Sequence, residues 1–201
     1  LGTAFNNAFY DLDFTGSGSW TVTDTNASSS NDVSITGGTL VLPTGTFTVG
    51  GSFSNTGGVV THNNGTLEMN SATPETLTLN GSALYDLRTT GSGTYTFNEA
   101  SASIDNDLLI DAGTVTLPSG TLSLGGSIAN NGTISAPTGN VLFNSSDAGE
   151  TVDLGASSLF DMTFNSATGG WNIIANATST GDVTLTDGTF TNDPGVTLSV
   201  G

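Results

Sequence analysis

The chain reads as an all-β protein, a β-solenoid (parallel β-helix), on three observations. Residues 84–162 nearly repeat residues 9–87 at a shift of 75 positions. Short runs alternate β-branched or aromatic residues with small polar ones, the period of a half-buried strand. Turns built from Gly-Gly, Asn-Gly and Pro-Thr-Gly separate these runs, and 28 glycines leave no window in which a helical period is sustained.

The repeat is legible in detail. Phe9-Tyr10-Asp11-Leu12 returns as Leu84-Tyr85-Asp86-Leu87 and as Leu159-Phe160-Asp161-Met162. Asp32 returns as Asp107 and Asp182, and the run Leu42–Phe53 as Leu117–Ile128. The chain therefore divides into a partial repeat 1–8, repeats 9–83 and 84–158, and a partial repeat 159–201, all within one domain. Repeated units bury apolar surface against each other, so the repeat bears on architecture before any motif does.

Taken in order, strands are predicted at Trp20–Thr23, Val33–Ile35, Thr46–Val49, Thr76–Leu79, Thr94–Phe97 and Thr114–Leu117. Two arrangements accommodate them: tandem small β-sandwiches, or one solenoid in which coil stacks on coil. Sandwiches call for linkers and a private core per unit. Here turns are evenly spaced and no linker stands out, which favours the solenoid. Each repeat then holds about three coils of about 25 residues, and the chain about eight.

Composition narrows function. One Lys or Arg stands against 18 Asp or Glu, a formal net charge of −17. Phosphate contacts need clustered cations, so nucleic acid is excluded as a partner, and so is an anionic membrane surface. No segment approaches the ~18 apolar residues of a membrane span. With no cysteine, neither disulfides nor thiolate metal sites are available. Thr, Ser, Asn and Gly dominate the polar positions, a composition typical of secreted or surface proteins.

These segments resemble the Gly/Thr/Asn-rich β-solenoid repeats of large secreted bacterial adhesins and surface filament proteins. The resemblance covers the whole chain and rests on turn chemistry and alternation rather than on a signature residue. It implies an elongated, extracellular or cell-surface, non-enzymatic protein, and it transfers no binding residue.

Candidate sites are few. Neither end of the repeat array reads as a cap, so the terminal rungs are expected to meet further coils, either of a longer chain or of a second copy head to tail. Leu1, Phe5, Leu198 and Val200 are the candidate assembly residues. Trp20, Tyr95 and Trp171 share nearly the same repeat position; as a column they are candidate glycan contacts, though core filling is the plainer role. The recurring acids raise calcium as a ligand, but equivalent residues three coils apart would lie about 14 Å from each other, too far to share an ion. Turn formation is their expected role, and no cofactor is expected.

An ice-binding Thr array would need Thr at equivalent positions throughout; Thr114 and Thr116 correspond instead to Thr39 and Val41. His62 and Arg88 occur once each, and Glu75 and Glu150 are repeat equivalents rather than a catalytic pair. No catalytic signature is present. Six Asn-x-Ser/Thr sequons begin at Asn26, Asn64, Asn80, Asn131, Asn144 and Asn176, several of them expected by chance in so Asn- and Thr-rich a chain.

Overall fold

The computed structural model describes residues 8–201. Every described strand pair is parallel, and the chain winds as a three-sided β-solenoid of about nine coils. The first coil shows the plan. Ala8–Phe9 lies on face one, Leu12–Phe14 on face two and Ser19–Thr21 on face three; Ala27–Ser29 then returns to face one, above Ala8–Phe9. The cycle of faces continues without exception to Leu198–Val200 on face two. The arrangement is one ladder and not a string of sandwiches.

Coils are shorter than the repeat suggests. On face one, Ser28, Thr48, Glu68 and Arg88 are in register at intervals of twenty residues. One interval in each repeat is longer, Phe53 pairing with Leu77 and Ile128 with Val152. The repeat between Ala83–Leu84 and Ser158–Leu159 holds eleven strands, which is three and two-thirds coils rather than three of about 25 residues. Equivalent residues of successive repeats therefore lie on different faces. Ala8–Phe9 is on face one, its equivalent Ala83–Leu84 on face three, and Ser158–Leu159 on face two.

Alternation sends one side of every strand inward. Phe47, Val49, Leu67, Met69 and Leu87 stack along face one, with Val33, Phe53, Leu77 and Phe97 along face two. Upper coils add an aromatic cluster. Phe143 lies on Phe164 with centroids 4.6 Å apart, and Phe164 also meets Trp171 and Phe190. Two breaks interrupt the backbone ladder, and a serine fills each. Val60 N–H donates to Ser82 Oγ at 3.0 Å, and one repeat later Ile134 N–H donates to Ser157 Oγ at 2.9 Å.

Candidate functional site

Corners, where the chain leaves one face for the next, gather most of the polar chemistry. At the corner between faces one and two, Asp11 Oδ1 accepts from Asn31 Nδ2 at 2.7 Å and from Asp32 N–H at 3.2 Å. Asp32 Oδ1 in turn accepts Ser52 N–H at 2.8 Å. Ser52 Oγ donates to Glu75 Oε2 at 2.8 Å and accepts Thr76 N–H at 3.1 Å. Each side chain thus captures an amide of the coil above, and four coils are tied in a column. Chain turns leave those N–H groups without a ladder partner, and short acidic side chains are suited to supply one.

The column recurs a repeat later. Asp86 Oδ1 takes Asn106 Nδ2 and Asp107 N–H, Asp107 Oδ1 takes Ser127 N–H, and Ser127 Oγ donates to Glu150. It begins a third time where Asp161 Oδ1 accepts Asp182 N–H. These columns occupy three different corners. The two Asp series are therefore stacked on adjacent coils, not spaced along one edge at three-coil intervals. Among the described residues no group of three or more His, Cys, Asp or Glu side chains is placed to hold a metal ion. Asp107 is pushed above the ordinary carboxylate range, chiefly by burial; the Ser127 N–H opposes the shift, and the charges of Asp86 and Glu150 add to it.

Both glutamates sit in the one widened corner of their repeat. Glu75 Oε1 accepts from Ser71 Oγ and Thr73 Oγ1, and Glu150 Oε1 from Ser145 Oγ. They lie on different corners of the solenoid and each is engaged by hydroxyls. Beside the second widened corner, Ser103, Asp105, Gly125, Asn144, Ser145 and Ser146 line an open polar cleft of about 210 Å³.

The aromatic trio does not form a column. Trp20 is on face three, Tyr95 on face two and Trp171 on face one. Tyr95 is 0 % and Trp171 1 % exposed, so neither ring can stack on a sugar; Trp20 is half-buried against Phe14. They fill the core instead. The Tyr95 hydroxyl donates to Ser71 C=O at 2.6 Å, and burial pushes its pKa up to about 12. A glycine in the left-handed region covers each ring from the next coil: Gly38 (φ 69°), Gly113 (φ 79°) and Gly188 (φ 99°). A Cβ at Gly38 would come within 2.5 Å of the Trp20 ring and closer still to Gly18 C=O, so this corner requires glycine twice over.

The singular basic residues are also committed to neighbours. His62 Nδ1 accepts Asn64 N–H at 3.0 Å, its Nε2 meets Asp105 Oδ2 at 3.2 Å, and its ring packs on Tyr85. Neither ring nitrogen is left facing a nucleophile. Arg88 Nε donates to Asp111 Oδ2 at 2.7 Å, and that hydrogen bond, with the Asp111 charge, pushes the guanidinium further up; Glu68 lies 4.0 Å away.

Leu198 and Val200 lie on the last rung of face two, above Ala177 and Ser179. Leu1 and Phe5 lie outside the described residues. Adjacent coils also bring threonines together that the 75-residue comparison separates. On face two, Thr76, Thr96, Thr116 and Ser135 form one outward row, and Thr94, Thr114 and Thr133 a second. Lower on the same face the outward positions are Asp13, Ser34 and Ser54. The rows thus span four coils and not the whole rod. All six sequon asparagines are exposed. Comparison with protein-family models, with curated proteins and with solved structures finds no match to this chain.

Proposed function

We propose that this chain is a structural rod of an extracellular filament, stalk or adhesin on a microbial surface, lengthened head to tail by coils of its own kind. One observation carries the reading: the rung of Val183–Asn192 and Leu198–Val200 continues the buried files of the core and offers exposed apolar positions on which a further coil can stack. Val183, Leu185, Phe190, Leu198 and Val200 stand above Met162, Phe164, Trp171, Ala177 and Ser179. Leu185 is 58 % and Val200 56 % exposed, whereas Phe164 and Ser179 directly beneath them are buried. No described residue pairs with the far edge of this rung. An open parallel edge over apolar positions is a template for another strand. Such a strand comes from further repeats of a longer chain or from a second copy, whose Ala8–Phe9, Leu12–Phe14 and Ser19–Thr21 follow the same cycle of faces.

The acidic corners support the same reading, since like charge opposes sideways association while leaving the ends free. No helix among the described residues is long and apolar enough to cross a membrane. Electron microscopy and small-angle scattering of the purified chain test the proposal. Rods or fibres whose length grows with protein concentration are expected. Dispersed particles of one coil-stack height at every concentration and ionic strength would remove self-stacking.

A second reading, as a surface-binding module, has the paired threonine rows behind it. Their hydroxyls repeat at about 4.8 Å between coils and about 7 Å along the strand, a regular, uncharged patch suited to an ordered lattice of water such as ice. Freezing hysteresis that disappears in a Thr96→Tyr, Thr114→Tyr variant is the expected result under this reading. Its absence in the unaltered chain rejects it.

A further inference from the structure

The repeat and the coil are out of phase, and the mismatch has a direction. Eleven strands on three faces leave each repeat one face short of a whole number of coils. Every feature of the repeat moves with that shift. The Asp column starts at the corner of faces one and two (Asp11), then of faces three and one (Asp86), then of faces two and three (Asp161). The glycine-covered aromatic passes from face three to face two to face one. We infer that the 75-residue repeat is a ruler of both length and direction: each repeat added raises the distal end by about 18 Å and turns it by a third of a revolution, and three restore the original direction.

This inference rests on the rod reading and adds what the repeat does within it. Physical support comes from where the contacts of each repeat lie. Inter-coil hydrogen bonds such as Asp32 to Ser52, Ser52 to Glu75, Asn106 to Asp86 and Ser127 to Glu150 join residues twenty to twenty-four apart. Almost all therefore reach only the coil above or below. Inward positions are mostly apolar on all three faces, and the inward asparagines Asn55 and Asn130 bond within their own repeat, so a repeat does not need a particular face beneath it. A junction needs only that the next strand resume the cycle of faces, and the twelfth strand does so by taking the role of the first. The rod consequently has no front. Whatever one repeat displays, a chain of three displays in three directions, at heights about 18 Å apart.

A second copy of residues 84–158 inserted after Ser158, and separately a deletion of 84–158, test the inference. Scattering is expected to show the longest dimension of the monomer about 18 Å greater in the insertion and about 18 Å smaller in the deletion, with parallel-β circular dichroism retained. Register is read by cross-linking. Asn140 now lies beneath Asp161, so in the insertion the second copy's Asp86 takes that place. An Asn140→Cys substitution paired with Asp86→Cys in the inserted copy is expected to form a disulfide, because in-register neighbours lie within bridging distance. Cross-linking instead between Asp153→Cys and Arg88→Cys of the inserted copy, both then on face one, would show a whole number of coils per repeat and overturn the inference. Loss of fold in both insertion and deletion overturns it as well. If the unaltered chain is itself not rod-shaped in the same measurement, the rod reading falls; if it is, only the ruler does.

Discussion

A Phe143→Ala substitution is expected to lower stability by about 3–5 kcal/mol, read as a drop in the urea midpoint. Phe143 is fully buried on face three, with Leu124 below it and Phe164 above. Its ring is stacked on Phe164 at 4.6 Å and 9°, so the loss includes an aromatic contact of about 1 kcal/mol beyond simple burial. Collapse into the gap is obstructed because rung spacing is set by backbone ladders on all three faces. Phe164, left unsupported, in turn meets Phe190 on the last coil and Trp171, whose buried Nε1 has no hydrogen-bond partner among the described residues. A solenoid is held by nearest-neighbour interfaces, so damage here should separate the coils above from those below. The expected signature is a lower midpoint together with a second, earlier phase in near-ultraviolet dichroism from Trp171. A shift under about 1 kcal/mol with a single phase would mean that Phe143 is not at a shared interface.

Architecture was legible in the chain because its two signals are local. Alternation such as Thr46-Phe47-Thr48-Val49 needs only four residues to mark a strand, and the structure has strands at Thr46–Val49, Val33–Ile35 and Thr94–Phe97 as expected. Turn chemistry marked the corners with equal directness. Coil length was not legible from the 75-residue identity, since a repeat can close on itself in sequence without closing in space. A shorter interval was present all along in Asp11 and Asp32, Asp86 and Asp107, Asp161 and Asp182, which recur at 21 residues and stack on adjacent coils. Treated as two separate series, they conceal the coil.

The candidate surfaces followed from that period. With coils of about 25 residues, Trp20, Tyr95 and Trp171 would line one edge; with coils of about twenty they disperse over three faces, two of them into the core. The same change of period assembles Thr94, Thr114 and Thr133, which no 75-residue alignment places together. Polar residues at inward positions were the other concealed feature. Asn55 and Asn130 sit in strands where alternation points them at the core, and only the corner geometry shows what they do there.

Those two asparagines carry the second large expected effect. Asn55 Oδ1 accepts Gly58 N–H at 2.9 Å, closing its own corner, while Nδ2 donates to Gly58 C=O at 3.1 Å and to Leu79 C=O of the next coil at 2.9 Å. Asn130 repeats the device at another corner, with Gly132 N–H at 3.0 Å and Leu154 C=O at 2.7 Å. An Asn55→Ala variant strands these backbone groups where water does not reach, at about 1–3 kcal/mol for each group left unpaired, so a loss of about 3 kcal/mol is expected. Asn130→Ala should cost a similar amount. The two sites share no partner, so the double variant is expected to lose the sum to within about 0.5 kcal/mol. Asn55→Asp separates packing from hydrogen bonding. It keeps the shape and the acceptor for Gly58 N–H but turns the donor towards Leu79 C=O into a second acceptor, and it should be at least as damaging as alanine at neutral pH. Chemical denaturation of the four variants measures all of this. A neutral Asn55→Ala would mean that the corner finds its hydrogen bonds elsewhere, and that the inward amide is not what couples one coil to the next.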